Sequence, residues 1–146
     1  MKMTKKTLTR IKKELKEAIE NEKRWGQKLG DTAGQGCDWH DNAAYDQALE
    51  NYHLSSRLVN DLKELLKNPK IVEKELRTDE IRFGNRVVFE LNGNKVEFTI
   101  LGGEDSMTDK TWIAESTPIA QKLLGMKAGE EKDNLKVLEI KQSDYD

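Results

Sequence analysis

Residues 45–69, YDQALENYHLSSRLVNDLKELLKNP, carry the pattern that decides the fold of this chain. Apolar or small side chains recur there at alternating spacings of three and four, at Tyr45, Ala48, Tyr52, Ser55, Val59, Leu62 and Leu66. This spacing draws a single stripe along an α-helix and is typical of a coiled coil. The helix is expected to stop at Asn68-Pro69, because the residue before a proline is driven out of the helical conformation.

The N-terminal segment repeats the pattern and predicts a partner helix over residues 4–29. Its stripe consists of Leu8, Ile11, Leu15, Ala18, Trp25 and Leu29, with Glu22 as the one break in the alternation and Ile19 alongside. Residues 30–36 between the two helices are rich in glycine, which costs about 1 kcal/mol relative to alanine inside a helix. The second helix is therefore expected to restart near Asp38. Together the two helices predict an antiparallel hairpin, with residues 8–15 near residues 59–66.

The period changes after Pro69 and predicts a small β domain. Strands are expected at residues 86–91, 95–101, 111–114 and 135–140, and Asn92-Gly93 joins the first two as a hairpin turn. A short helix follows Ser116-Thr117, with a hydroxyl cap, Pro118 at its first position and Gly125 just past its end. The predicted fold is α+β, with a coiled-coil hairpin over residues 1–77 and an antiparallel β domain with one short helix over residues 78–146.

Composition and charge restrict the class of protein. The 146 residues include 25 Lys and Arg and 27 Asp and Glu, and the net charge of −2 gives no general attraction to nucleic acid. The charge is uneven, since residues 1–28 hold ten basic and four acidic side chains, a net of +6. The lone Cys37 excludes an internal disulfide. Without a signal-like or membrane-length apolar segment, we expect a soluble cytoplasmic protein.

Residues 36–45, GCDWHDNAAY, connect the two predicted helices and hold the candidate site. The structural interpretation is that Asp38 caps the second helix and Asp41 serves as the acid of a capping box. A zinc site at Cys37 and His40 is disfavoured, because no further Cys or His pair completes four ligands. Trp39 suggests a contact with a partner, since a connection between helices offers a large aromatic side chain little to pack against.

Three segments together resemble the Gre family of bacterial transcript cleavage factors. Residues 38–45, DWHDNAAY, are similar to the family's tip motif of an Asp, two variable residues, an acid and Asn-Ala-x-Tyr. Residues 68–72, NPKIV, resemble the family's exit from the hairpin. Residues 116–130, STPIAQKLLGMKAGE, resemble its C-terminal Ser-Pro-x-Ala segment, with Thr117 inserted. The likeness covers most of the chain in the same order.

The resemblance implies an antiparallel coiled coil followed by a C-terminal domain of FKBP-like topology that docks on RNA polymerase. It further implies that the coiled coil enters the secondary channel of RNA polymerase and that the polymerase then cuts its own backtracked RNA at the 3′ end. Asp38 and Asp41 match the acids that would share a Mg²⁺ ion with the polymerase. The protein would be an accessory factor and not itself an enzyme, and we expect a monomer without a membrane partner.

Departures from the family pattern leave alternatives open. The second acid is Asp41, where the family usually has Glu, and Trp39 and His40 are bulkier than the usual residues between the acids. The main alternative is a relative that enters the same channel and regulates or inhibits the polymerase without stimulating cleavage. A proline isomerase is a third interpretation, prompted only by the FKBP-like topology. We expect the aromatic side chains of that domain to form its core, namely Phe83, Phe89, Phe98 and Trp112.

Overall fold

The computed structural model describes residues 2–33 and 43–145. Contacts divide the chain into two units, one of Thr9–Asn68 and one of Met1–Leu8 with Pro69–Asp146. We refer to them as the hairpin unit and the sheet unit. Within the described residues, no helix is long and apolar enough to cross a membrane.

The hairpin unit contains the two predicted helices. Helix α1 spans Lys5–Ala33 and helix α2 spans Ala43–Leu65. Asn21 donates a hydrogen bond to Ser55, whereas Gly26, later in α1, lies against Tyr52, earlier in α2. Because the contacts advance along one helix as they retreat along the other, the helices are antiparallel, which confirms the predicted hairpin.

The predicted stripe is buried only along its centre. Its most buried members are at most 6% exposed and comprise Ile11, Ala18, Ala48, Val59 and Leu62. Outer members such as Leu15 and Tyr52 are half-buried. Two helices can cover only the line along which they meet, so the flanks of each stripe remain open to solvent.

The ends of the helices differ in part from the expectation. The glycine-containing stretch after residue 29 was predicted to lie outside a helix, but α1 continues into it as far as Ala33. The Thr32 hydroxyl donates to the carbonyl oxygens of Lys28 and Leu29, each over 3.0 Å, and so supports this last turn. The predicted restart near Asp38 lies outside the described residues. The predicted stop is confirmed, because α2 ends at Leu65 and Asn68 has a φ of 54°.

The sheet unit is built on five strands, namely β3 (Arg86–Leu91), β4 (Asn94–Leu101), β5 (Trp112–Ala114), β6 (Glu131–Lys132) and β7 (Leu135–Lys141). Their order in the sheet is β5-β4-β3-β7-β6. The predicted turn between β3 and β4 is confirmed, with positive φ angles at Asn92 and Gly93. The pairings of β3 with β4 and β3 with β7 are antiparallel, in agreement with the predicted antiparallel sheet. Strand β6, which was not predicted, also pairs antiparallel with β7. The pairing of β4 with β5 is parallel.

Two short helices pack in the sheet unit, where the sequence predicted one. Helix α4 (Pro118–Leu123) is the predicted helix, and Thr117 caps it by accepting the Ala120 N–H over 3.3 Å. Helix α3 (Gly103–Thr108) follows β4 and was not predicted. It continues the chain directly from the end of β4 toward β5, which allows β5 to return parallel to β4.

The segment after the hairpin belongs to the sheet unit. Short strands β1 (Lys2–Met3) and β2 (Lys70–Ile71) pair in parallel, and the Val72 N–H donates to the Met3 carbonyl oxygen over 2.9 Å. Further along, the Glu75 N–H donates to the Ser143 hydroxyl over 2.9 Å. The predicted domain boundary lay between residues 77 and 78, whereas these contacts attach residues 69–77 to the sheet unit.

Apolar side chains of the sheet and α4 form the main core. It consists of Ile81, Val87, Phe89, Ile100, Ala120, Leu123, Met126, Leu135, Val137 and Ile140. A second cluster joins Val72, Leu101, Trp112 and Tyr145, with Phe83 packed against it. Phe98 packs against the main core. The aromatic residues considered for an isomerase pocket therefore contribute to packing.

Candidate functional site

The predicted site residues lie outside the described part of the chain. Asp38 and Asp41 fall within residues 34–42, as do Cys37, Trp39 and His40. Their assignment as magnesium ligands therefore stays a prediction. Within residues 2–33 and 43–145, no three His, Cys, Asp or Glu side chains come together to form a metal site.

The structure does define the helices that lead into and out of this segment. In the last turns of α1 before it, the Lys28 ammonium lies 5.1 Å from the centre of the Trp25 ring. A cation over an aromatic face gains electrostatic stabilisation of about 0.5–1 kcal/mol at an exposed site. Half-buried Trp25 thus packs beneath a charged side chain about two turns before the end of α1.

The two helices meet closely at Gly26 and at a polar pair formed by Asn21 and Ser55. A Cβ atom added to Gly26 would lie 3.5 Å from Cε2 of Tyr52, which is ordinary van der Waals contact. The Asn21 amide donates to the Ser55 hydroxyl over 3.3 Å, and that hydroxyl donates in turn to the Asn51 carbonyl oxygen over 2.8 Å. A polar pair on the line of contact favours one register over its neighbours.

The basic side chains of α1 between residues 12 and 28 are exposed. They are Lys12, Lys13, Lys16, Lys23, Arg24 and Lys28. Three of them, at positions 12, 16 and 23, are separated by four and seven residues and so fall on one side of the helix. We call these three side chains the lysine stripe.

The first turn of α1 is held in the sheet unit by a buried carboxylate. Asp105 Oδ1 accepts the backbone N–H and the hydroxyl of Thr4, each over 3.0 Å, and also the hydroxyl of Thr7. The Thr4 hydroxyl accepts the Thr7 N–H over 3.2 Å, which is the geometry of a helix N-cap. All three residues are fully buried. The cap of α1 and the unpredicted helix α3 therefore form one hydrogen-bonded unit.

A second contact beside this cap is ionic. Asp109 accepts the Thr111 N–H over 2.9 Å and the Thr111 hydroxyl over 2.8 Å, and its other oxygen lies 3.1 Å from Lys6 Nζ. The two bonds from Thr111, followed by the one from Lys6, lower the pKa of Asp109 to about 2. Lys6 Nζ also lies 5.3 Å from the Trp112 ring centre.

Residues 116–130, which carry the C-terminal part of the resemblance, have a structural role in the fold. Gly125 and Gly129 have φ angles of 88° and 87°, a region that side chains other than glycine rarely enter. The Gly125 N–H donates to the Ile81 carbonyl oxygen over 2.8 Å. Ala120 and Leu123 are fully buried in the main core. This pattern of residues thus specifies a capped helix and two tight turns.

Comparison with known proteins extends the resemblance over almost the whole chain. Residues 76–141 match the family described as transcription elongation factor, GreA/GreB, C-terminal domain. Over 94% of this chain, the sequence is 30% identical to the transcription elongation factor GreA of Mesomycoplasma hyopneumoniae, of which it covers 92%. It is also 33% identical to the GreA of Wolinella succinogenes, over 84% of this chain and 77% of that protein.

A solved structure with detectable likeness is that of the GreA factor homolog 1 (Gfh1) protein of Thermus thermophilus. It covers 96% of this chain and 97% of its own, at 19% sequence identity and a TM-score of 0.48. The sequence comparisons, which span both the helical hairpin and the sheet, show that the chain belongs to the GreA/GreB family of transcription elongation factors.

Proposed function

We propose that this protein binds RNA polymerase, inserts its hairpin into the secondary channel and stimulates cleavage of backtracked RNA at the 3′ end. The observation that carries the proposal is the similarity to GreA over 94% of the chain, which includes the hairpin as well as the sheet unit. The active site belongs to the polymerase, so this protein acts as an accessory factor.

The described hairpin supports this function by its length. Helix α1 has 29 residues, and at about 1.5 Å per residue it extends for roughly 40 Å. The two helices hold each other along a buried stripe and a polar pair. A hairpin of two paired helices is narrow enough to suit insertion into a channel. Residues 34–42 connect its two helices in the sequence.

The chemistry of the two acids fits the proposed metal. Mg²⁺ prefers oxygen ligands and is commonly held by one or two protein carboxylates together with water and phosphate oxygens. Asp38 and Asp41 would supply two such carboxylates, and the polymerase would supply the remaining ligands. When bound, a magnesium ion at a phosphodiester stabilises developing negative charge and activates water. The acids of this chain would hold that ion only in the complex.

The lysine stripe is suited to contact with the RNA that backtracking displaces. RNA displaced by backtracking carries one negative charge per phosphate, and lysines neutralise such charges in a manner that depends on salt. An exposed line of three lysines along α1 would favour the presence of RNA beside the hairpin. We propose this as an auxiliary contact that adds affinity without sequence preference.

An RNA cleavage assay on backtracked elongation complexes tests the proposal. The polymerase is stalled with a labelled transcript, and shortening of the transcript is followed with and without the protein. Faster shortening supports the proposed function. Binding to the polymerase without any change in the cleavage rate favours the regulator that does not stimulate cleavage, an alternative motivated by Asp41 in place of the usual Glu.

A further inference from the structure

One side of the hairpin unit exposes leucines. Leu54 and Leu58 are 53% and 49% exposed, and their spacing of four places them on the same side of α2. Leu58 and Leu62 also line a shallow groove of about 340 Å³ whose other residues come from α1. We call Leu54, Leu58 and this groove the leucine face.

The rim of the leucine face is acidic. Its α1 side consists of Glu14, Glu17, Ala18 and Asn21. Arg10 pairs with Glu14 over 2.8 Å. In the described part of the chain no basic side chain pairs with Glu17. The face therefore offers an apolar centre beside at least one carboxylate that a partner could neutralise.

The leucine face and the lysine stripe lie on different sides of the hairpin. At about 100° per residue, Lys12, Lys16 and Lys23 are centred roughly 150° around α1 from Glu14 and Glu17. The stripe suits a polyanion such as RNA. Glu17 at the rim of the leucine face would repel phosphates, which makes RNA a poorer occupant than a protein surface.

Resting on the proposed function, we infer that the leucine face is the side of the hairpin that seats against RNA polymerase. Its counterpart would be a polymerase surface with an apolar centre and basic side chains around it, because these complement the leucines and Glu17. A second copy of this chain is a poorer occupant. Symmetric pairing of two such faces would bring the acidic rims of both copies into the same interface.

The test measures the affinity of the full-length protein for core RNA polymerase, by competition with a fluorescent wild-type protein and without any cleavage step. The variant Leu54→Gln/Leu58→Gln removes the apolar centre, and we expect about tenfold weaker binding. Leu49→Gln is the matched control, since half-buried Leu49 lies on the other side of α2. Glu17→Lys should also weaken binding, whereas Glu20→Lys, on the exposed face opposite Ile11 and Ala18, should not.

The outcomes separate this inference from the proposed function. If the wild type fails to bind polymerase, both are overturned. If it binds and the paired leucine variant binds equally well, or if Leu49→Gln weakens binding as much, only the leucine face is wrong. Sedimentation that shows a wild-type dimer, dissolved by the paired leucine change, would assign the face to self-association and overturn the inference as well.

Discussion

The backbone N–H of Thr4 donates to Oδ1 of Asp105 over 3.0 Å, although the two residues are 101 positions apart in the chain. This bond, with those from the hydroxyls of Thr4 and Thr7, makes a single buried carboxylate the acceptor for the N-terminal cap of α1. The start of the first helix is thus determined by a residue in the second half of the sequence.

Removal of this carboxylate should destabilise the protein strongly. Asp105→Ala leaves one N–H and two hydroxyls buried without their acceptor, and we expect a loss of about 3 kcal/mol in the free energy of unfolding. Asp105→Asn should lose less, because the amide oxygen can still accept at the position of Oδ1. Urea denaturation measures both. A change below about 0.5 kcal/mol for Asp105→Ala would show that the network contributes little.

The burial of the hairpin stripe predicts that alanine substitutions at Leu62 and Lys16 change the free energy of unfolding by very different amounts. Leu62 is 5% exposed, and Leu62→Ala should lower the free energy of unfolding by about 2–4 kcal/mol through lost burial and a residual cavity. Lys16 is exposed, and Lys16→Ala should leave stability almost unchanged. Chemical denaturation of both variants checks this, and similar losses at the two positions would argue against the observed burial.

The lowered pKa of Asp109 predicts how the stability of the protein depends on pH. Its pKa is about 2 in the folded protein, below its ordinary value near 4. A carboxyl with a lowered folded pKa stabilises the fold above its unfolded pKa, and that stabilisation is lost as the pH falls from about 4 through about 2. The wild type should therefore lose stability over this range more steeply than Asp109→Asn.

Urea midpoints measured at pH values between 2 and 7 check the pH prediction. Glu115 is an exposed acid of the sheet unit, and Glu115→Gln is the control for the loss of a carboxylate elsewhere in that unit. Parallel curves for the wild type and Asp109→Asn would contradict the assigned contribution of Asp109.

Local patterns in the sequence predicted a large part of the fold. The stripe through Val59 and Leu62, the Asn92-Gly93 turn and the capped helix after Thr117 each depend on neighbouring residues and were all confirmed. The continuation of α1 through Gly30 was missed, because helix propensity alone does not include the bonds that Thr32 makes back to the preceding turn.

Features that depend on distant residues could not be predicted in this way. The cap of α1 by Asp105 and the pairing of β1 with β2 join segments far apart in sequence. The parallel pairing of β5 follows from α3, a six-residue helix without a side-chain cap at Gly102. The candidate acids were found from the family's tip motif, and spacing alone would have favoured ordinary helix caps.

We propose that Asp38 and Asp41 hold magnesium within the polymerase, and Asn substitutions separate this role from capping. Asn is as good an N-cap as Asp but lacks the negative charge of a magnesium ligand. Asp38→Asn/Asp41→Asn should therefore retain the melting temperature and the affinity for polymerase of the wild type. Raised magnesium should restore part of any lost activity, because a weakened site fills by mass action.

The most direct measurement is the rate of transcript shortening in backtracked elongation complexes supplied with the wild type or with Asp38→Asn/Asp41→Asn. We expect that the wild type stimulates cleavage and that the paired variant, bound at the same occupancy, does not. Equal stimulation by the two proteins would show that the two acids hold no magnesium needed for cleavage and would leave them as helix caps only.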